Sequence, residues 1–143
     1  MKLNIKLLTP EAKIPKYATD GSGCFDLYAT SEGTVMEKMS LIIHTGLSVE
    51  VPKGQVMLIF SRSGQGFNNN VRLSNCVGVI DSDYRGEVMI KLASDDPWRH
   101  HPINVGDRVA QAMLFPYEQV EFNVLEELEK TERGENGFGS TGV

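Results

Sequence analysis

The chain reads as an all-β domain, a sandwich or jelly roll, on three observations. Apolar residues recur with a period of two in short segments, turn-forming clusters separate those segments at near-regular spacing, and only one stretch carries a helical signal. A length of 143 residues suits one domain with a sizeable hydrophobic core.

The elements follow in order. Residues 3–8 alternate and predict a first strand. Thr19-Asp20-Gly21-Ser22-Gly23 is a turn, and Gly23-Cys24-Phe25-Asp26-Leu27 then sets a carboxylate inside an apolar strand. His44 stands alone in a strand, and Leu47-Ser48-Val49-Glu50-Val51 alternates up to the turn Pro52-Lys53-Gly54. Residues 56–60 form an apolar run of strand length, and Ser61-Arg62-Ser63-Gly64-Gln65-Gly66 follows as a polar β-turn. Residues 75–80 and 87–92 predict a hairpin with residues 81–86 as its loop. Turns at Asp95-Asp96-Pro97 and Val105-Gly106-Asp107 bound a loop containing Trp98-Arg99-His100-His101-Pro102. Residues 110–115 form another covered strand, and Val120, Phe122 and Val124 continue the period of two. Residues 126–133 are the one plausible helix, short and acidic.

The formal charge of −5, with no Lys/Arg stripe, excludes a broad nucleic-acid or membrane footprint. Any phosphate must then be held by a few placed groups and backbone N–H. Cys24 and Cys76 have no metal or redox spacing and read as reduced core thiols. The histidines offer no metal site. Met1-Lys2-Leu3-Asn4 opens no secretory segment and no apolar run reaches membrane-spanning length, so a soluble, cytoplasmic protein is expected.

Three places carry candidate chemistry. Asp81, at the corner of the predicted hairpin, is exposed enough to orient and deprotonate water as a general base. Tyr84, three residues on, can press its ring against a sugar. The hydroxyls, guanidinium and backbone N–H groups of residues 61–66 make a phosphate cradle, although no P-loop pattern occurs. The final stretch, Arg133-Gly134-Glu135-Asn136-Gly137-Phe138-Gly139-Ser140-Thr141-Gly142-Val143, cannot build a core. Its glycines can wrap an anion, Arg133 offers a bidentate donor, and Phe138 offers a face for base stacking. Asp107 and Arg108, neighbours at a strand start, read as a structural ion pair.

Five segments, in order and register, resemble the trimeric dUTP diphosphatases (dUTPases): Gly23-Cys24-Phe25-Asp26-Leu27, Arg62-Ser63-Gly64, Gly78-Val79-Ile80-Asp81-Ser82-Asp83-Tyr84-Arg85-Gly86, Gly106-Asp107-Arg108-Val109-Ala110-Gln111, and residues 133–142. The likeness runs over nearly the whole chain. It implies a jelly-roll-like β barrel over residues 1–125, a flexible arm over 126–143, and a homotrimer whose active sites are shared between subunits. The implied reaction is Mg²⁺-dependent hydrolysis of dUTP to dUMP and pyrophosphate, which keeps uracil out of DNA and supplies dUMP for dTMP synthesis.

The resemblance also assigns roles. Asp81 is similar to the carboxylate that activates water against the α-phosphorus, and Tyr84 to the ring that leaves no room for a 2′-hydroxyl. Asn75, Val79, Ile80, Gly86 and Met89 match the segment that reads uracil. Arg62, Ser63, Gly64 and Gln111 match phosphate contacts, and Asp26 the carboxylate that touches Mg²⁺ through water. Arg133 matches a γ-phosphate contact, Phe138 the ring over uracil, and Gly139, Ser140 and Thr141 the phosphate clamp. Cys24, Gln65, Asn68-Asn69-Asn70, Asn136 and a slightly long loop over residues 95–104 depart from the family pattern, yet none removes a chemical group. Asn at 136 suits a left-handed bend better than most residues. Two alternatives share the fold: a dCTP deaminase, and a nucleotide-gated interaction protein engaging a protein partner through residues 65–70 and 95–104.

Overall fold

The computed structural model describes residues 1–37 and 39–137. Among them, strands dominate: β1 (Asn4–Leu7), β2 (Lys16–Tyr17), β3 (Phe25–Tyr28), β4 (Gly33–Val35), β5 (Leu41–Glu50) and β6 (Gln55–Phe60) precede one helix, α1 (Ser63–Asn69). Then come β7 (Val71–Leu73), β8 (Val77–Ile80), β9 (Glu87–Ser94), β10 (His101–Ile103) and β11 (Arg108–Pro116). One sheet has the order β1-β5-β9-β7, a second β2-β3-β11-β6-β8, and β10 pairs with β4. Every pairing of these strands is antiparallel.

Alternation translates into packing. In β9, Val88, Ile90 and Leu92 point into the core while Met89 and Lys91 face out. The second sheet contributes Leu27, Met57, Ile59, Val109, Ala110 and Ala112, and β5 and β7 supply Ile43, Leu47, Val49, Val71 and Leu73 to the same buried cluster. Each fully buried Leu or Ile is worth about 1.5–3 kcal/mol against exposure. The register slips in the β3–β11 ladder between Arg108 and Ala110, and again in β5, where the ladder to β9 slips between His44 and Ser48. Gly46 sits at that bulge with φ +64°, and a Cβ there would meet Ala12 Cβ at 2.8 Å and Thr9 Oγ1 at 2.9 Å. Both facts demand glycine.

Several expectations are corrected. The 75–92 hairpin is not a ladder: β8 pairs with β6 and β9 with β5 and β7, so residues 81–86 cross between sheets. Residues 63–69 form a helix rather than a β-turn, closed by Asn70 in the left-handed region at φ 53°. Residues 126–133 form no helix, and Val120, Phe122 and Val124 lie in no strand, at 68%, 88% and 94% exposure. An eight-residue acidic segment with nothing to pack against cannot offset helix nucleation, and an alternating segment without a neighbouring strand has no ladder to join. His101 and Pro102 belong to β10 rather than a loop. Cys76 is exposed, at φ 63° in a turn, and Cys24 is only partly buried, so neither is a core thiol, although both are free. No helix among the described residues is long and apolar enough to cross a membrane.

Candidate active site

At one end of the second sheet, β3, β6 and β11 lie side by side, and their register places Gln111 between Asp26 and Phe60. Asp26 is nearly buried, with its side chain 11% exposed. Arg62 Nε donates to Asp26 Oδ1 at 3.1 Å, and Arg108 Nη1 donates to Oδ2 at 3.2 Å. Arg62 Nη1 and Gln65 Nε2 each reach the Arg108 carbonyl at 3.3 Å. Gln111 Nε2 donates to the Ser61 carbonyl at 3.0 Å, pinning the strand end from which Arg62 projects. A nearly buried carboxylate is tolerable here because both oxygens carry charged donors. A cavity of about 370 Å³ opens beside this group, with Arg62, Gln65, Asn69, His101 and Arg108 among its lining.

Arg108 therefore pairs with Asp26, 82 residues away, and not with its neighbour. Asp107 instead accepts from the Asn104 N–H at 2.8 Å and closes a turn. Partial burial, and then the nearby Asp26 charge, push the Cys24 thiol up. Among the described residues, no three His, Cys, Asp or Glu side chains are grouped to hold a metal ion.

The second group lies on residues 81–86. Asp81 is exposed, and its carbonyl accepts the Tyr84 N–H at 3.2 Å, which closes a turn. The Tyr84 hydroxyl donates to the Glu87 carbonyl at 3.0 Å. Its ring lies directly over Gly86, where any Cβ would collide with the Tyr84 hydroxyl. Arg85 Nη1 donates to the Ser82 and Tyr84 carbonyls, each at 2.8 Å, so the loop is braced from within.

Among the described residues, the two strands that this loop joins each keep one edge without a strand partner. β8 is the last strand of its sheet, and the first residues of β9 have β5 on one side while β7 begins pairing only at Leu92. Val79 and Met89 are exposed on these strands, Ile80 packs partly against the core, and Asn75 sits exposed before β8. Backbone N–H and C=O groups on an open edge are strong, obligatory hydrogen-bonding groups that a planar base can satisfy.

The two groups stand at opposite ends of β6. Asp81 follows Ile80, which pairs with Met57, whereas Arg62 lies two residues beyond Phe60, which pairs with Val77. At about 3.3 Å per residue, the path from Met57 to Arg62 covers roughly 16 Å. One chain thus separates Asp81 and Tyr84 from Asp26, Arg62 and Gln111. Ser63 and Gly64 open α1 next to Arg62. Arg133 is exposed, and its Nε donates to the Asn136 carbonyl at 2.9 Å. The left-handed residue of that turn is Gly134, φ 53°, rather than Asn136. Phe138, Gly139, Ser140 and Thr141 lie outside the described residues.

Besides Arg108, sequence reasoning missed two participants. Gln65, whose amide joins the Arg62–Arg108 group, looked like a turn residue. Glu87, whose carbonyl accepts the Tyr84 hydroxyl, sits in an alternating strand and gives no local signal. His44 is not alone, since its Nδ1 lies 2.9 Å from Glu87 Oε2.

Comparison with known proteins gives the family. A family described as dUTPase matches residues 10–142. The deoxyuridine 5′-triphosphate nucleotidohydrolase of Helicobacter pylori (strain P12) is 39% identical over 145 residues, covering 100% of this chain and 98% of that one. The same-named protein of Histophilus somni (strain 2336) is 42% identical over 150 residues, covering 99% and 97%. Among solved structures, a mutant dUTPase of Staphylococcus bacteriophage 80alpha with dUpNHpp superposes at a TM-score of 0.87, with 26% identity and 99% of each chain covered. The chain belongs to the dUTPase family.

Proposed function

We infer that this dUTPase hydrolyses dUTP to dUMP and pyrophosphate at a site shared between copies of the chain in a homotrimer. Asp81 and Tyr84 come from one copy, and Asp26, Arg62 and Gln111 from another. The observation that carries the shared site is the placement of those groups at opposite ends of β6. A base lying along the open edges of β8 and β9 puts its sugar near Tyr84 and its α-phosphorus near Asp81. The phosphates still need cations: Arg85 is turned onto the Ser82 and Tyr84 carbonyls, and Arg62 lies roughly 16 Å away along the same strand. A second copy closes the gap.

Each group has a chemical task. Exposed Asp81 takes the proton of the attacking water, and positioning supplies most of the remaining rate, since attack on phosphorus needs orientation and charge stabilisation. Tyr84, fixed by Glu87 and Gly86, excludes a 2′-hydroxyl by contact. Backbone groups near Asn75, Val79, Ile80, Gly86 and Met89 pair with uracil's O4 and N3–H and mismatch cytosine, a loss that leaves polar groups unpaired. Arg62, Ser63, Gly64 and Gln111 take phosphate oxygens. Arg133, Phe138, Gly139, Ser140 and Thr141 supply a γ-phosphate contact, a stacking ring and a phosphate clamp from the 126–143 arm.

The donor set fits Mg²⁺ carried by the triphosphate. Asp26 has both oxygens engaged by arginines, which leaves lone pairs for a metal-bound water and makes direct coordination unfavourable. A triphosphate with waters would satisfy Mg²⁺ without a protein cage. When bound, the cation neutralises phosphate charge, and Asp26 orients one of its waters.

Pyrophosphate release measured over dUTP, dTTP, dCTP and UTP tests the reading. dUTP is expected to turn over alone at an appreciable rate. Ammonia released from dCTP would establish the deaminase instead. One observation favours a partner-binding role alongside hydrolysis: Phe67, on α1, and Trp98 stand 91% and 90% exposed on the two segments that depart from the family pattern. A turnover-deficient chain that still captures a protein partner in a nucleotide-dependent way would bear it out.

A further inference from the structure

The bulge in β5 leaves the Gly46 N–H without a ladder partner on β9, and a side chain fills the vacancy. The Gly46 N–H donates to Glu87 Oε1 at 2.8 Å, while Glu87 Oε2 sits 2.9 Å from His44 Nδ1. The main-chain carbonyl of the same Glu87 accepts the Tyr84 hydroxyl at 3.0 Å. His44 lies opposite Met89 in the register, so the pair spans β5 and β9 just where β9 leaves the 81–86 loop. The Glu87 side chain is 23% exposed and that of His44 52%, so the contact is partly shielded from water. Partial burial raises the Glu87 pKa, but bonds from His44 and from the Gly46 and Thr45 N–H groups together hold it below the ordinary carboxylate value.

We propose that Glu87, clamped between His44 and the Gly46 bulge, is a positioning residue for sugar discrimination: it fixes the carbonyl that holds the Tyr84 ring in place. Neither residue touches substrate. The ring rests on three supports, namely its hydroxyl bond, the empty space above Gly86, and the turn from Asp81. Only the first is made to Glu87 itself. A steric filter works only while its wall is rigid, because a ring free to move by an ångström admits the extra hydroxyl. Releasing Glu87 therefore loosens selectivity for the sugar while leaving selectivity for the base, which is read by other backbone groups.

The inference rests on the reading of Tyr84 as the sugar contact, and the test separates the two. For the assembled enzyme, the ratio of kcat/KM for dUTP over UTP is measured in Tyr84→Ala, Glu87→Ala, Glu87→Gln and His44→Ala, with the dUTP over dCTP ratio alongside. Glu87→Ala is expected to lower the dUTP/UTP ratio about tenfold, the worth of the Tyr84 hydrogen bond converted to a rate. His44→Ala should lower it part of the way, and Glu87→Gln should restore most of it, because the amide oxygen still accepts the Gly46 N–H. The dUTP/dCTP ratio should stay within twofold or so in all of them. If Glu87→Ala does not fold, His44→Ala, which spares the bulge, decides the matter. A lowered ratio in Tyr84→Ala with none in Glu87→Ala or His44→Ala overturns the inference alone. An unchanged ratio in Tyr84→Ala overturns the reading of Tyr84 and the inference with it.

Discussion

Replacing Asp26 by Asn tests the charged group at the end of the second sheet. The carboxylate is nearly buried and holds two guanidinium groups, Arg62 at 3.1 Å and Arg108 at 3.2 Å. Asn keeps the shape but turns an amide NH₂ toward one of two cations and removes the charge that justified burying Arg62. A charge-assisted hydrogen bond in such a setting is worth about 1.5–3 kcal/mol. Arg108 is 48% exposed, so its share is discounted to at most about 1 kcal/mol. The loss is therefore about 2–4 kcal/mol, and at roughly 3 °C per kcal/mol for a chain of this size Tm falls by about 6–12 °C. Calorimetry at fixed protomer concentration reads the shift, because the proposed assembly would make Tm concentration-dependent. Asp95→Asn is the control: it breaks a bidentate pair with Arg72 at 2.7 and 2.9 Å on the open surface and should move Tm far less. Equal shifts for the two variants would refute the claim that the Asp26 group is a buried, structurally costly one.

Asp81→Asn should bind a non-hydrolysable dUTP analogue within a few-fold of the parent while turnover falls about 10²–10⁴-fold, the usual worth of a positioned base; single-turnover kinetics would show otherwise if Asp81 only binds. Gly86→Ala has an ordinary backbone and fails for one reason, the overlap of its Cβ with the Tyr84 ring. Losing the Tyr84–Glu87 bond should lower kcat/KM for dUTP about tenfold, and an unaffected variant would mean the ring has another resting place. The Glu87 carboxyl has a lower pKa folded than unfolded, so its stabilisation is complete above the ordinary value of about 4.5 and is lost as pH falls through the folded one. The Tm gap between the parent and Glu87→Gln should then shrink on acidification, and a gap independent of pH would contradict the linkage.

Local patterns were legible in the chain, and their long-range pairing was not. The alternation of residues 87–92 marked β9 and its inward face correctly, because one buried face imposes a period of two. The same alternation carries no sign of which sheet a strand joins, so the 75–92 segment looked like a hairpin although β8 and β9 part into different sheets. Gly64 and Gly66 each cost a helix about 1 kcal/mol, which makes residues 63–69 read as a turn. Yet α1 forms, with Gln65 held by the Arg108 carbonyl and Asn70 closing the end. Residues 126–133 erred in the opposite sense, since good helix formers without a packed face do not nucleate. At the site, Asp81 and Tyr84 stood out because loop carboxylates and rings are locally conspicuous. Arg108 did not, because its partner is 82 residues away and its neighbour Asp107 offered a simpler pairing.

Whether the site is divided between chains is decided by mixing two crippled variants, Asp81→Asn and Arg62→Gln. Each alone leaves every site with a defect and should be nearly inactive. If Asp81 and Arg62 act from different copies in a ring of three, about one site in four regains both groups after random exchange. Activity should then rise to about a quarter of the parent's as exchange proceeds, with mixed trimers verified by mass. Mixed trimers that stay as inactive as the two parents would place both groups in the same copy and contradict the shared site.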